Sequence, residues 1–407
     1  MQSTDQKVPD RFAKLEPYPF AKLATLTAGC PTPKNLEHIP LSLGEPKHSP
    51  PDFVVDYLAD RERLRAHLAT YPATKGSEEL RASIANWLQQ RFATPIDSAT
   101  QVLPVAGTRE ALFSFAQAML SGKPNARVLM PNPFYQIYEG ASLLGNASPY
   151  FVNNDASDGY QQNFEGVPTQ IWADAEIVYL CTPGNPTGQI MSTRQLQQLI
   201  ELAHKHNFII ASDECYSEIY LNEAAPPTSL LAASEAMGNR DYERCVVFHS
   251  LSKRSNLPGL RSGFVAGDAQ ILNRYFNYRT YHGCAMSAHH QAVSALAWSD
   301  ENHVFENRKL YQRKFAVVEK ILAPHFPIQQ PAGGFYHWLQ TPIDELEFAK
   351  GLLSEQNVTV MPGSYLARAD NQGNNPGTNH VRVAWVARLE DCQEAASRMV
   401  EYVRSLD

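Results

Sequence analysis

Apolar positions recur along this chain with two spacings. Leu80, Ile84, Trp87 and Leu88 fall on one face of a 3.6-residue turn and predict an amphipathic helix over Glu78–Phe92. Glu110–Leu120, Thr193–His206, Glu301–Leu322 and Asp391–Leu406 read as further helices. Short apolar runs bounded by polar residues predict strands at Val102–Val105, Val128–Met130, Ile177–Leu180, Phe208–Ala211, Val246–Phe248, Phe264–Ala266, Gly334–Leu339 and Val381–Val386. From about residue 78, strand-like runs alternate with helical stretches. That order predicts an α/β fold with a mostly parallel central sheet flanked by helices on both faces. The first 50 residues are rich in Pro, Lys and Thr and read as an extended arm, with one short strand at Ile39–Leu43 ending at Gly44-Glu45-Pro46. The expected division is an N-terminal arm over 1–48, a large ligand-binding domain over 49–299, and a smaller α+β domain over 300–407 to which the arm belongs.

Composition narrows the function classes. The 407 residues carry a net charge of −7, which argues against a nucleic-acid partner that would need a basic stripe. Six cysteines lie far apart without a CxxC pair, so neither a zinc framework nor disulfides are expected. Free thiols fit a reducing cytoplasm. Met1–Asp10 lacks an apolar signal core and no run of about 18 apolar residues occurs, so the expected location is cytoplasmic with no membrane partner. Thirteen scattered histidines without an HExxH motif predict no metal.

Unusual polar residues follow the apolar runs directly: Asn185 after Ile177–Leu180, Asp213 after Phe208–Ala211, Ser250 and Lys253 after Val246–Phe248. Ligands of open α/β sheets bind at the carboxyl ends of strands, so one shared site is expected there. Lys253 lies in Ser250-Leu-Ser-Lys-Arg-Ser-Asn-Leu-Pro-Gly-Leu-Arg261, where two hydroxyls and a forked guanidinium suit a phosphate. Asp213, in Ser-Asp-Glu-Cys-Tyr216, is either a helix N-cap or the partner of a buried cation. Asn185, in Pro-Gly-Asn-Pro-Thr-Gly188, sits in turn chemistry and has an amide to offer. Ala106-Gly-Thr-Arg-Glu110 opens a helix after a strand, either as an ordinary cap or as a phosphate cradle. Ser250-Leu-Ser-Lys253 also matches the S-x-x-K of serine acyl-enzymes, but only Ser212-Asp-Glu214 and Thr74-Lys-Gly76 stand where S-D-N and K-T-G are needed.

Taken together, Asn-Pro-Thr-Gly188, Asp-Glu-x-Tyr216 and Ser-x-Ser-Lys253, with Arg261 eight residues on, resemble the class I/II aminotransferases of pyridoxal-phosphate (PLP) fold type I. The resemblance covers nearly the whole chain. It implies that Lys253 bonds the cofactor, that Asp213 pairs with its ring nitrogen, and that Asn185 and Tyr216 hold its phenolate oxygen. It implies Gly107, Thr108, Arg109, Ser250 and Arg261 around the phosphate, and Tyr135 stacked on the ring, unless Tyr135 is core packing. Tyr71 would reach the phosphate of a second subunit, which implies a homodimer. Arg382 and Gly44 would receive the substrate α-carboxylate. Ser42-Leu-Gly-Glu-Pro-Lys-His48, Pro131-Asn-Pro-Phe-Tyr-Gln-Ile-Tyr138, the Lys253 segment and Tyr278-Arg-Thr-Tyr-His-Gly-Cys-Ala-Met286 look like the succinyldiaminopimelate aminotransferases of bacterial lysine biosynthesis. That implies N-succinyl-LL-2,6-diaminopimelate and glutamate/2-oxoglutarate as substrates, and a cation for a distal carboxylate, with Lys47, Lys75 and Arg279 as candidates. Aminotransferases of aspartate, aromatic or N-acylornithine type, and C–S lyases of the same fold, carry the same core residues.

Overall fold

The computed structural model describes residues 11–370 and 372–406. Met1–Asp10, the start of the expected arm and the segment read for a signal core, lie outside them. The arm is not extended throughout: α1 (Pro19–Thr27) follows Tyr18. Proline at the first position of a helix loses no hydrogen bond. Leu23 buries against Trp338, Met361 and Leu366, so tertiary packing stabilises a helix too short to declare itself by periodicity. β1 (Ile39–Pro40) then leads into the Gly44 turn.

α2 (Glu78–Phe92) has the expected bounds, capped by the Ser77 hydroxyl on the N–H of Leu80 and closed by Ala93 in the left-handed region. β2 (Val102–Val105) is followed by α3 (Thr108–Met119), which starts two residues before the expected Glu110. Then come β3 (Arg127–Asn132), β4 (Ser148–Asn153), β5 (Ala175–Cys181), α4 (Thr193–His206), β6 (Ile209–Asp213), β7 (Cys245–Ser250), the one-turn α5 (Leu251–Arg254) and β8 (Gly263–Gly267). α4 opens with a Ser192–Gln195 capping box. Seven strands form one sheet in the order β2-β8-β7-β6-β5-β3-β4. β8 runs antiparallel to both its neighbours and the other four pairings are parallel. β5, β6 and β7 are buried almost end to end, as expected of a sheet covered on both faces.

Beyond it lie α6 (Ala269–His282) and the long α7 (Asn302–Leu322). β9 (Tyr336–Gln340), β10 (Val358–Thr359), β11 (Met361–Pro362), β12 (His380–Ala384) and α8 (Leu389–Ser405) complete the chain. β11, β12 and β9 make an antiparallel sheet, and β10 pairs with β1, which ties the arm to the C-terminal third. Among the described residues no helix is long and apolar enough to cross a membrane.

Candidate active site

The parallel strands β5, β6 and β7 end at one cavity of about 620 Å³. Its wall carries Lys253, Asp213, Tyr216, Asn185, Thr108, Arg109, Tyr135, Ser250, Arg261, Gly44 and Arg382, eleven of the residues expected from the sequence. Gly107 stands directly behind them: its φ is +90°, and a Cβ there would overlap the Arg261 guanidinium. Only glycine satisfies both conditions.

Lys253 is held in the one-turn α5, whose N-cap is Ser250. Its Nζ donates to the Gly44 carbonyl at 2.6 Å. Burial pushes its pKa down to about 8, with the Arg382 and Arg109 charges acting the same way and Cys215 opposing. A lysine in that range exchanges protons readily at physiological pH.

Asp213 ends β6 and is buried. Oδ2 accepts from the Tyr138 hydroxyl at 2.9 Å and Oδ1 from the Cys215 N–H at 3.2 Å. Tyr138 is itself fixed by stacking on Tyr179. Among the described residues no cation pairs with Asp213, and burial raises its pKa against the pull of those hydrogen bonds. A buried carboxylate facing a cavity without a cation matches a ligand that brings a protonated nitrogen.

Arg382, on β12, donates from Nη1 to Asn185 Oδ1 at 2.9 Å and from Nη2 to the Ser42 carbonyl at 2.7 Å. Its buried Nε has no partner among the described residues, nor has the guanidinium a carboxylate. Because Asn185 Oδ1 accepts from Arg382, its amide nitrogen is left to donate into the cavity. Tyr216 is 3.0 Å from the Tyr336 hydroxyl, and Gly44 packs so closely on Tyr336 that no side chain fits there. Arg109 donates to the Tyr135 hydroxyl at 2.8 Å.

The three candidates for a distal carboxylate do not fit. Arg279 is fully buried and engages both oxygens of Glu110 at 2.9 and 3.0 Å. Lys75 lines a separate groove with Thr100, Leu103 and Phe276. Lys47 is ion-paired with Glu45 and does not line the cavity. Tyr71 also lies outside it and is fully exposed. Residues the sequence did not single out include Tyr18 and Phe20, which α1 brings to the mouth, and Tyr336, Leu366 and Tyr138. Among the described residues one group could hold a metal, Glu110, His282 and Cys284, but its carboxylate is already engaged by Arg279.

Comparison with known proteins names the family. The family described as aminotransferase class I and II matches residues 37–399. This chain is a member of the class I and II aminotransferases. An LL-diaminopimelate aminotransferase of Nitratidesulfovibrio vulgaris is 28% identical over 401 residues, covering 97% of this chain and 99% of its own. A solved aminotransferase from Neisseria meningitidis is 43% identical with a TM-score of 0.91, over 96% of this chain and 99% of its own. Another, from Helicobacter pylori, is 33% identical with a TM-score of 0.88, over 96% and 99%. Aminotransferases of this family depend on PLP, and the donor set here fits that group. Ser250, Thr108, Arg261 and the glycine backbone could hold a phosphate, Asp213 a ring N–H, and Asn185 and Tyr216 a phenolate oxygen.

Proposed function

We propose that this aminotransferase moves an amino group between N-succinyl-LL-2,6-diaminopimelate and 2-oxoglutarate, with Lys253 as the proton-moving group. The observation that carries the reading is the one cavity in which a lysine with its pKa lowered to about 8 faces an aspartate without a cation and an arginine without a carboxylate among the described residues.

PLP, when bound, supplies an electron sink that acidifies the hydrogen on the substrate Cα. Arg382 grips the substrate α-carboxylate with its fork and so presents that hydrogen to Lys253. Lys253 Nζ would take the proton from the substrate Cα and hold it while the amino group leaves that carbon. Asp213 would keep a proton on the ring nitrogen, and Tyr138 and the Cys215 N–H fix the angle of its carboxylate. Asn185 and Tyr216 would hold the phenolate oxygen, and Tyr135 would stack on the ring. Ser250, Thr108, Gly107 and Arg261 would hold the phosphate. Tyr71 would complete that anchor in the second subunit of a homodimer.

Arg109 takes the distal carboxylate in place of Lys47, Lys75 and Arg279. It lines the cavity, bonds only to the Tyr135 hydroxyl, and has no carboxylate partner among the described residues. The succinylated form is favoured over free LL-diaminopimelate by charge. A free distal ammonium would need an acid at the mouth, and Glu45 is already neutralised by Lys47. The relatives named for LL-diaminopimelate act on the same carbon skeleton.

Two measurements test this. Borohydride should fix the cofactor to Lys253, and Lys253→Ala should bind cofactor yet lose proton transfer. In an amino-donor screen, succinylated diaminopimelate should exceed free LL-diaminopimelate, aspartate and N-acetylornithine in kcat/KM by about tenfold or more. A preference for the free diamine would overturn the succinyl reading, and a preference for aspartate or an aromatic amino acid would overturn the diaminopimelate reading altogether.

A further inference from the structure

The proposed chemistry uses Lys253 but leaves unexplained a chain of buried polar groups behind it. Asn307, on α7, donates from Nδ2 to the carbonyls of Lys253 and Arg254 at 3.2 and 3.3 Å. Its Oδ1 is 2.7 Å from His48 Nδ1, and His48 Nε2 is 2.7 Å from Lys314 Nζ. Lys314 also reaches the Val386 carbonyl at 3.4 Å.

Elementary donor and acceptor rules give this chain one direction. Carbonyls only accept, so the Asn307 nitrogen must face Lys253 and Arg254. Its oxygen then faces His48 and can only accept, so Nδ1 of His48 carries the hydrogen. Nε2 is left as an acceptor, and the Lys314 ammonium supplies its donor. His48 is therefore neutral. Its pKa agrees: burial pushes it down to about 4, and the Lys314 charge pushes the same way.

α7 is built to receive this imidazole. Asn307, Tyr311 and Lys314 stand at i, i+4 and i+7, on one face of the helix. The Tyr311 ring lies 4.6 Å from that of His48, between the amide and the ammonium. All three α7 residues are buried. The same short segment of the arm touches Lys253 a second time, since the Gly44 carbonyl accepts from Lys253 Nζ. Residues 44–48 thus meet Lys253 at both ends, the tip of its side chain directly and its backbone through Asn307.

We propose that His48 and Asn307 are positioning residues for Lys253, fixing the backbone from which its amine reaches substrate. The inference rests on Lys253 as the proton-moving group. The two carbonyls orient the Asn307 amide, and His48 donates the hydrogen that pins its far side. Without that donor the Asn307 oxygen loses its partner, and one of the ties between the α5 turn and α7 loosens, leaving the His303–Ser255 contact. A displacement of the amine by a fraction of an ångström is costly in a proton transfer that depends on alignment.

The test uses the full chain with three substitutions. His48→Leu removes the donor. His48→Asn restores an N–H at the Nδ1 position while losing the contact to Lys314. Asn307→Asp keeps an acceptor for His48 but turns an oxygen toward the two carbonyls. His48→Leu and Asn307→Asp should lower kcat about tenfold or more with the KM for the amino donor changed less than about threefold, and His48→Asn should recover most of the loss. In the cofactor-free chain, hydrogen–deuterium exchange should quicken at residues 251–257 in His48→Leu while the seven-stranded sheet stays protected. The proposal falls if His48→Leu keeps wild-type kcat and unchanged exchange at 251–257. It falls equally if exchange rises throughout the chain and His48→Asn is as damaged as His48→Leu, the outcome of a purely structural role. Failure of the underlying reading looks different: Lys253→Ala would then retain proton transfer whatever residue 48 is.

Discussion

At the scale of the residue, the cavity turns ordinary side chains into unusual ones by removing water from them. Lys253 shows this most simply. Its folded pKa is pushed down from 10.5 to about 8 by burial. The unfolded chain therefore binds more protons than the folded one between those values, and stability must rise with pH across that window. Below it the buried charge is a standing cost. Cofactor-free Lys253→Met should melt at a higher temperature than the wild type at pH 7, and the gap should narrow towards pH 10. A second expectation concerns Arg382. In the proposed function its fork would meet a carboxylate with two parallel bonds that a lysine cannot make. Arg382→Lys should lower kcat/KM for the amino donor about a hundredfold while cofactor affinity, read by titration of the visible absorbance, stays near wild type. Lys253, Asp213 and Asn185 could be read from the sequence because each polar residue follows an apolar run that has no local use for it. Tyr138 could not. Its bond to Asp213 joins positions 75 residues apart, and nothing in its own segment distinguishes a core tyrosine from one that steers a carboxylate.

At the scale of the element, long amphipathic helices are legible nearly to their ends, since Ser77 and Ser192 announce the starts and periodicity carries the middle. α1 escaped because nine residues with a proline at the start offer too little periodicity, and contacts made more than 300 residues away stabilise it. The partners of the cations are illegible in the sequence for a related reason. Residue type does not reveal that Arg279, on α6, is sealed against Glu110 on α3, or that Lys75 faces another groove. That pair has a consequence of its own. Arg279 is buried but Glu110 is about a quarter exposed and keeps its bond from Ser114, so losing the arginine costs less than breaking a fully buried pair, on the order of 1–2 kcal/mol. Arg279→Met should lower the denaturation midpoint by that equivalent, with the KM for the distal carboxylate substrate little changed. A KM effect without a stability effect would return Arg279 to the substrate site.

At the scale of the whole molecule, the sheet order and the ends of β5, β6 and β7 explain why one cavity collects residues from positions 18 to 382. The parallel sheet was readable because doubly covered strands leave continuous apolar runs. The pairing of β1 with β10 was not, because two-residue strands carry no pattern. Tyr71 and Tyr281 stand almost wholly in solvent, unusual for rings of that size. Sedimentation at micromolar concentration should show twice the chain mass, and Tyr71→Ser should weaken cofactor binding without breaking that assembly. A monomer that binds cofactor at full affinity would remove Tyr71 from the site. The charge balance of the cavity reaches further still. Among the described residues Arg109, Lys253, Arg261 and Arg382 face only Asp213 and Glu45, and Glu45 is shared with Lys47. A cavity so weighted on a chain of net charge −7 is an anion trap set in an anionic surface. Inorganic phosphate and small dicarboxylates in any buffer will compete for it, so the choice of buffer becomes part of every affinity measured on this protein.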